Sequence, residues 1–521
     1  MRTDRRSFLG LVAGAFGALV VPARAPRADA GPALEIHRLT RNTRLGALGG
    51  RLGRWGGASS PALAPAGAPR VGLPEVAAAP SRSLAETVRD FEPAAGFRAS
   101  ELPLAMLARL LHLTNGVTGE LEGGGVALRA APSAGALYAG EVYVAAERIA
   151  GLAPGLYHFA VPERVLVRLR EGGPLAEIAG ALEEPDRIRG AAFAVLLSNV
   201  FGRYRARYAN RGYRYALIDT GHIVENLRLA SAAHGLGEAG FARFHDEQLN
   251  ALLGSAGRGL GVCFVSAVGA PSPAGAAPPP APRAPRRLTE RDPRAALSPG
   301  RSIERYHAAS ELTGAPGGAE PGRVSADAEP AEATWGSPLP PRPDPALSVE
   351  AAIRARRSPL RFLPEPIEAA DLGFVLAMAR AHPALARAPG VELYAIAHRV
   401  RGLAPGLHAT DGSRVALRRA GDLREPLVAA CLGQELAGQA SAALLMVARP
   451  AAAAARDGPR SYRDLLVESG AIAQRIYLAA ESLHLSARNL AAFVDDDLAD
   501  LLGFGPDGRA VLHLTLLGRK G

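Results

Sequence analysis

The stretch "GHIVENLRLASAAHGL" at residues 221–236 has a second version in the same chain, "GAIAQRIYLAAESLHL" at 470–485. Both begin with glycine, and both carry apolar residues at the i, i+4 and i+7 spacing of a helix face. The two versions lie 249 residues apart. They predict two equivalent helices and indicate an internal duplication of the fold.

Other landmarks repeat at nearly the same offset. The string "FHDEQLNALLG" at 244–254 matches "FVDDDLADLLG" at 493–503, and the turn "GLAPGL" occurs at 151–156 and again at 402–407. The last strands of each half, "GVCFVSAVG" and "AVLHLTLLG", keep the offset, and the lead-in strings "IHRLTRNT" and "RYHAASELT" echo each other. A spacing this constant indicates a duplicated domain.

The boundaries follow from composition. Residues 271–300 are rich in proline and alanine, and segments of this kind bury too little apolar surface to order themselves. We therefore predict a first domain at 34–270, a linker at 271–300 and a second domain at 301–521. The second domain opens with a Pro/Gly-rich lead-in that extends to about residue 345.

Strands and helices are expected to interleave in each copy. The runs "EVYVAAERI" at 141–149, "AAFAVLLSNVF" at 191–201 and "ELYAIAHRV" at 392–400 are short and either apolar or alternating, which favours strands. They do not follow the strict strand–helix–strand order of a parallel, doubly wound sheet. The pattern predicts an α+β fold with a sheet flanked by helices.

Composition excludes several classes of function. The net charge of +10 comes from singly scattered arginines, with Lys520 as the only lysine, so it marks no nucleic-acid stripe. Cys263 and Cys431 stand in apolar runs, which favours inert buried thiols. The run Asp495–Asp497 is more typical of a helix start than of a metal site. We expect no nucleic-acid partner and no metal.

The N-terminus has the pattern of an export signal. The string "DRRSFLG" at 4–10 precedes the apolar run "LGLVAGAFGALVV", and small residues at 23–25 permit cleavage after Ala25. The run is too short for a permanent membrane span. Paired arginines before Ser-Phe-Leu resemble a twin-arginine signal, with an ordinary secretory signal as the alternative. We expect residues 1–25 to direct export to the periplasm.

Five strings carry a resemblance to a known family. They are "PSAGALYAGEVYVAAERIAGLAPGLYHF" at 132–159, "RYANRGYRYALIDTGHIVENL" at 207–227, "FHDEQLNALLG", "RRSPLRFLPEPI" at 356–367 and "LLVESGAIAQRIYLAAESL" at 465–483. Over most of both copies the chain resembles SagB-type dehydrogenases of the FMN-dependent nitroreductase superfamily. The resemblance implies a mostly antiparallel sheet flanked by helices and a dimer that binds FMN at its interface. A tandem chain would form that dimer within itself, as a pseudo-dimer.

The resemblance also implies site residues, which the two copies retain unequally. In the family, one subunit supplies an arginine-serine segment and terminal basic residues, and its partner supplies a proline-serine loop against the flavin ring. The matching residues are Arg356, Arg357, Ser358, Arg361, Arg519 and Lys520 of the second copy, and Pro132, Ser133, Ala134 and Gly135 of the first. The corresponding stretches 90–97 and 382–390 lack them. We expect one intact composite site and one FMN per chain.

Charge and size suit these roles. The planar fork of an arginine donates paired hydrogen bonds to phosphate oxygens. Small residues at 133–135 allow backbone to approach a flat ring closely. The alternative for the arginine-serine segment is a solvated helix end, and its pairing with the complementary loop favours binding.

Arg207 and Tyr208 are the candidate catalytic residues. Azoline-oxidising relatives carry a Lys-Tyr pair at this point, whereas this chain has arginine, which stays protonated and cannot act as a base. Its charge is expected to lower the pKa of Tyr208 and leave the phenolate as the base. The alternative is that both residues, like Arg211, Tyr213 and Arg214, pack around the interface helix. Because arginine replaces the family's lysine, azoline oxidation itself is not implied.

The expected function is that of an exported FMN oxidoreductase. It would dehydrogenate a small molecule or a modified peptide, with hydride transfer to FMN, and pass the electrons to oxygen, a quinone or a redox partner. Soluble NAD(P)H is scarce outside the cytoplasm, which disfavours a conventional nitroreductase cycle. The alternatives are a nitro or quinone reductase and a non-catalytic binding or scaffold protein.

Overall fold

Two sheets of the same topology, one in each copy, form the framework. The computed structural model describes residues 32–43, 63–120, 127–255, 259–272, 289–290, 303–308, 310–313, 336, 338–382, 385, 390–504 and 508–521. The export signal predicted at 1–25 and most of the linker predicted at 271–300 lie outside these residues.

The strands and helices are numbered along the described residues. The strands are β1 (Arg70–Gly72), β2 (Phe97–Arg98), β3 (Leu102–Pro103), β4 (Val117–Glu120), β5 (Ala127–Arg129), β6 (Gly140–Ala146), β7 (Ile149–Ala150), β8 (Gly155–Ala160), β9 (Val165–Glu171), β10 (Phe193–Val200), β11 (Gly237–Phe241), β12 (Leu260–Pro271), β13 (Thr289–Glu290), β14 (Leu312–Thr313), β15 (Phe362–Leu363), β16 (Ile367–Glu368), β17 (Glu392–Ala397), β18 (Val400–Arg401), β19 (Gly406–Thr410), β20 (Val415–Ala420), β21 (Ala442–Ala448), β22 (Leu485–Asn489) and β23 (Ala510–Lys520). The helices are α1 (Pro32–Leu39), α2 (Leu84–Arg89), α3 (Leu104–Asn115), α4 (Leu175–Ala181), α5 (Phe201–Tyr208), α6 (Gly212–Ala233), α7 (Asp246–Leu252), α8 (Ile303–Ala308), α9 (Val349–Ala355), α10 (Ala369–Arg380), α11 (Arg424–Ala430), α12 (Leu436–Gln439), α13 (Pro450–Asp457), α14 (Ser461–Ser482) and α15 (Asp495–Leu501).

The sheets confirm the duplication. In the first copy the strand order is β1-β9-β8-β6-β10-β12-β11, with β2 also paired to β12. In the second copy it is β20-β19-β17-β21-β23, with β15 and β22 both paired to β23. All neighbours within these two sheets are antiparallel. The predicted α+β fold in two tandem copies is therefore confirmed.

The repeated turn "GLAPGL" has the same backbone role in both copies. Its first glycine is left-handed, with φ of 80° at Gly151 and 87° at Gly402, a conformation that glycine adopts without steric cost. The carbonyls of Pro154 and Pro405 each accept a backbone hydrogen bond of 3.1 Å, which closes the following hairpin. The identical letters therefore encode the same turn.

The two copies meet along the long helices α6 and α14, each of 22 residues. They cross at Gly221 and Gly470, the first residues of the repeat at 221–236 and 470–485. A Cβ atom placed on Gly221 would lie 2.8 Å from the Cα of Gly470 and 2.7 Å from the amide nitrogen of Ala471. The backbones are thus in direct contact, and the copies form the expected pseudo-dimer. The largest apolar core includes buried residues of both copies.

The lead-in segments cross between the copies. Helix α1, predicted as part of the first domain, packs on α13 and α14 of the second. Helix α8, predicted as part of the second domain, packs on α5, α6 and β12 of the first. Each lead-in thus helps to hold the opposite copy in place.

Within the described ranges, no helix combines the length and apolar character needed to cross a membrane. The same residues contain no cluster of three His, Cys, Asp or Glu side chains arranged to hold a metal ion.

Candidate functional site

The arginine-serine segment of the second copy lies against the loop of the first. Arg356 is 4% exposed, and its Nε and Nη2 atoms donate to the carbonyls of Ala130 and Arg129 at 3.0 and 2.9 Å. These carbonyls lie two and three residues before Pro132, the first residue of the loop Pro132–Tyr138. The structure therefore brings Arg356 of the second copy next to the predicted loop of the first, at a seam that we call the composite seam.

Arg357 and Ser358 extend this contact. The Nη2 atom of Arg357 donates to the carbonyl of Thr118 at 2.6 Å and lies over Gly119, where a Cβ would approach it to 2.6 Å. The Ser358 hydroxyl lies 2.9 Å from the Tyr477 hydroxyl. Glycine at 119 leaves the space that the guanidinium occupies.

The C-terminal cations lie close to this segment. Strand β15 pairs with the end of β23, so that Arg519 and Lys520 run beside the stretch that contains Arg361. A Cβ on Gly521 would lie 2.9 Å from the Cγ atom of Arg361. The Nζ atom of Lys520 is 3.8 Å from Glu481. All three predicted cations of this group therefore lie on the same edge of the second copy.

The charges of the composite seam fit a phosphate dianion. Burial raises the pKa of Glu481, while the charges of Lys520, Arg356 and Arg357 all act on it in the opposite direction. Arg488, which the sequence did not single out, donates to the carbonyl of Pro359 at 2.6 Å and adds another cation. Position 488 lies within an ordinary strand, and no sequence signal marked it. The donors around Glu481 outnumber that carboxylate, which leaves a net positive site suited to phosphate oxygens.

The loop Pro132–Tyr138 has the compact backbone expected of a ring-binding segment. Gly135 is left-handed, with φ of 63°, and the Ser133 hydroxyl accepts the Tyr138 amide at 2.9 Å. Residues 132–138 are partly or fully exposed. The loop is therefore shaped in part by a hydrogen bond within it, and its residues remain accessible to solvent.

Arg207 and Tyr208, at the end of helix α5, lie against this loop. A Cβ on Gly135 would collide with the Tyr208 hydroxyl and lie 3.5 Å from the Nε atom of Arg207. The guanidinium of Arg207 is 5.6 Å from the centre of the Tyr208 ring. Burial raises the pKa of Tyr208 despite the hydrogen bond and charge of Arg207. The expected lowering of this pKa is wrong in sign, and Tyr208 keeps its proton at neutral pH.

Asp219 is a site residue that the sequence-based prediction missed. Its Oδ2 atom accepts the Ala134 amide at 3.1 Å and the Tyr204 hydroxyl. The available signal was an acidic residue at the same position of both copies, in "LIDTG" and "LVESG". Helix position alone does not reveal that this carboxylate reaches the loop.

A buried chain of polar groups links the seam to the helix crossing. The Tyr477 hydroxyl accepts the Asn489 amide at 2.9 Å, and the Asn489 side chain lies 2.7 Å from His222 Nε2. His222 Nδ1 lies 3.0 Å from Gln474, which donates to Asn226 at 2.6 Å. Burial lowers the pKa of His222 well below its ordinary value, so the ring is neutral and bridges two amides.

The duplication creates a second seam, which we call the opposite seam, between the residues equivalent to those of the composite seam. In this seam an arginine and an aromatic residue have exchanged positions. In the composite seam the guanidinium of Arg356 lies 5.3 Å from the Tyr477 ring centre. At the equivalent positions, Phe91 replaces the arginine and Arg228 replaces the tyrosine, with the guanidinium 5.0 Å from the ring centre. The contact between an arginine and an aromatic ring is thus retained with the two positions exchanged. The opposite seam therefore has no arginine at the position of Arg356.

Buried charges fill the opposite seam. Arg228 contacts Glu225 at 3.3 Å and Glu238 at 3.2 Å, while Arg475 contacts Glu225 at 3.1 Å and Glu468 at 3.7 Å. His382 also lies 3.6 Å from Glu225. Both guanidiniums are thus already paired with buried carboxylates, which leaves them no free charge to offer a phosphate dianion.

Comparisons with known proteins agree with this architecture. The model of the nitroreductase family matches residues 96–270 and 353–519, which together exceed half of the chain. A Methanocaldococcus jannaschii protein named as a nitroreductase is 30% identical over 156 residues, which cover 30% of this chain and 76% of that protein. A solved Anabaena variabilis structure described as a nitroreductase aligns with a TM-score of 0.69 at 24% identity, over 95% of this chain and all of that one. This chain belongs to the nitroreductase family, a family of oxidoreductases, and carries its domain twice.

Proposed function

We propose that the protein is an FMN-dependent oxidoreductase of the SagB type that binds one FMN per chain in the composite seam. The observation that carries this proposal is the pair of hydrogen bonds from Arg356 to the carbonyls of Arg129 and Ala130, which place a second-copy cation beside the first-copy loop Pro132–Tyr138. Nitroreductases are typically flavin-dependent. Bound FMN supplies a hydride acceptor.

The proposed roles of the site residues follow from their charge and size. Arg357, Arg361, Arg519 and Lys520 provide donors for the phosphate, and Arg356 ties that cluster to the loop. The segment 133–135 presents small residues to the ring. Tyr208 holds a proton over Gly135 and is placed to donate a hydrogen bond into the site or to exchange that proton with a substrate.

The flavin content of the purified full chain tests the cofactor proposal. Arg357→Ala with Ser358→Ala should weaken FMN binding on the order of a hundredfold, because charge-assisted donors to the phosphate are lost. Glu92→Ala changes the position equivalent to Arg357 in the opposite seam and should leave the flavin content unchanged. Two FMN per chain in the unmodified protein would contradict the one-site arrangement, and none would favour the scaffold alternative.

Tyr208→Phe tests the proton-holding role. The substitution keeps the ring against the loop and removes the hydroxyl, so flavin content should stay the same while turnover falls about a hundredfold. Steady-state rates with any accepted substrate and the visible spectrum of the same sample give the two readouts. Unchanged turnover would assign Tyr208 to packing alone.

We further propose that the substrate is a small molecule or a modified peptide and that oxygen, a quinone or a redox partner accepts the electrons. Export by the twin-arginine route suits a flavoprotein that folds around its cofactor before transport. A nitro or quinone reductase is the second candidate within the family. Anaerobic reduction of the bound flavin by NAD(P)H on the time scale of turnover would favour that second candidate.

A further inference from the structure

Both copies use a buried carboxylate to hold the same point of the loop. In the first copy Asp219 accepts the amide of Ala134 at 3.1 Å, and in the second copy Glu468 accepts the amide of Leu385 at 3.2 Å. The carboxylates are 249 residues apart and the amides 251. This contact has survived in a seam that lost its other site residues, which identifies it as the anchor of the loop.

The two anchors differ in their charge partners. Glu468 lies 3.7 Å from the guanidinium of Arg475, whose equivalent in the first copy is the neutral Asn226. Asp219 contacts a hydroxyl instead: Tyr204 donates to it, and the Ser133 hydroxyl lies 3.1 Å from that of Tyr204. Among the described residues, Asp219 forms no ion pair.

Burial without a cation raises the pKa of Asp219 to about 7. The hydroxyls of Tyr204 and Ser133 and the amide of Ala134 donate hydrogen bonds that lower the pKa of Asp219 again. No titratable group in the described part of the second copy shifts the pKa of Asp219. The charge of Asp219, on helix α6, also acts on Tyr208, which lies on helix α5 with Tyr204. Burial raises the pKa of Tyr204 well above its ordinary value, so this residue remains a proton donor to Asp219.

Resting on the proposed function, we propose that Asp219 is a positioning residue for the flavin: its carboxylate anchors Ala134 in the ring-binding loop, and protonation by solvent weakens that anchor. A neutral carboxyl group accepts hydrogen bonds less strongly than a carboxylate, and one of its oxygens becomes a donor. The loop should therefore be held firmly above neutral pH and loosely below it. Flavin binding would follow the same dependence.

Hydrogen exchange of the flavin-free full chain tests the anchor itself. At one fixed alkaline pH, Asp219→Asn should speed exchange about tenfold in the peptide covering 133–138, because the amide of Ala134 loses its ionised acceptor. Asp219→Glu should restore protection, as Glu468 shows that the longer acid can reach its loop. Glu468→Gln is the matched control and should leave exchange at 133–138 unchanged.

FMN titration across the pH range tests the consequence for the cofactor. Fluorescence quenching should report binding by the unmodified protein that weakens about tenfold as pH falls through about 7. Asp219→Asn should bind with the weaker affinity at every pH, and Glu468→Gln should keep the normal profile. A merely structural role would shift affinity without removing its pH dependence.

The outcomes separate this proposal from the proposed function. If the unmodified protein binds FMN and Asp219→Asn keeps the same pH profile, the role of Asp219 is overturned while the cofactor proposal stands. If the unmodified protein binds no FMN at any pH, the proposed function fails and takes the flavin role of Asp219 with it, whatever exchange shows. Should Asp219→Asn not fold, Asp219→Glu carries the test: this variant keeps the carboxyl group, so its affinity for FMN should still weaken as pH falls, and an affinity independent of pH would overturn the role.

Discussion

Gly221→Ala is expected to lower the free energy of unfolding by about 3 kcal/mol or more, although alanine is the better helix former. The added methyl group would lie 2.7 Å from the amide nitrogen of Ala471 and 2.8 Å from the Cα atom of Gly470, and closer still to the carbonyl of Val467. All three obstacles are backbone atoms, which no rotamer change can move. The helices α6 and α14 must separate to accommodate the methyl group, and the two copies lose contact along their shared core.

Urea unfolding followed by far-ultraviolet circular dichroism measures this effect. Gly470→Ala should behave in the same way, because its Cβ would lie 2.8 Å from the carbonyl carbon of Ile218. Under the proposed function, both variants should also bind FMN more weakly, since the composite seam is built from residues of both copies.

Gly180→Ala is the matched control. It makes the same substitution within helix α4, where a Cβ would meet nothing within 4 Å. There the higher helix propensity of alanine should stabilise the protein by roughly 0.5–1 kcal/mol. If Gly221→Ala shifted the unfolding midpoint in the same direction as this control, the close helix crossing would be refuted.

The repeat predicted much of the fold because equivalent sequences fold into equivalent elements. The strings at 221–236 and 470–485 became the halves of two buried helices, and the apolar runs at 141–149 and 392–400 became central strands of the two sheets. The glycines that open the repeats were visible too. That they touch each other depends on contacts between residues 249 positions apart, which helix periodicity does not encode.

The position of the candidate site was predicted from the sequence, but only part of its chemistry was. The resemblance led to Arg356 and the loop at 132–138, and the structure places them at one seam. The sign of the pKa shift of Tyr208 was missed because burial, which no local pattern records, outweighs the charge of Arg207. Asp219 was missed for a related reason, since acidic residues on a helix are usually solvated and this one is buried against a loop.

A repeated pair of ion clusters also escaped the sequence pattern. Asp495 of the second copy accepts hydrogen bonds from Arg211 and, at 2.6 Å, from Arg214 of the first. Asp495 does begin helix α15, as the sequence predicted, and Arg211 and Arg214 do lie around the interface helix. The added finding is that these three buried side chains form a clamp between the copies.

The duplication produces a second clamp, in which the first copy supplies the aspartate and the second copy supplies the two arginines. Asp246 of the first copy accepts from Arg460 at 2.5 Å and from Arg463 at 2.8 Å in the second. Each of these residues lies 249 positions from its equivalent in the other clamp. The arginine pairs and the aspartates therefore explain why the strings at 207–227 and 244–254 kept their counterparts.

Asp495→Asn should lower the free energy of unfolding by about 3–5 kcal/mol, because it leaves two buried guanidiniums without their carboxylate. Burial opposes ionisation of Asp495, but the charges of Arg211 and Arg214 hold its pKa well below the ordinary value. A depressed folded-state pKa stabilises the protein above the ordinary pKa of aspartate, and this contribution is lost as pH falls below it. Urea unfolding at neutral and acidic pH should show the variant losing both stability and that acid dependence.

Asp496→Asn is the control on the adjacent residue. Its side chain is 53% exposed and pairs with Arg41 at the surface, and exposed ion pairs contribute about 1 kcal/mol or less. The two substitutions remove the same charge from the same helix start, so any general effect on the helix dipole is shared. The difference between them measures the clamp, and equal losses of stability would show that Asp495 acts through the helix start and does not hold the copies together.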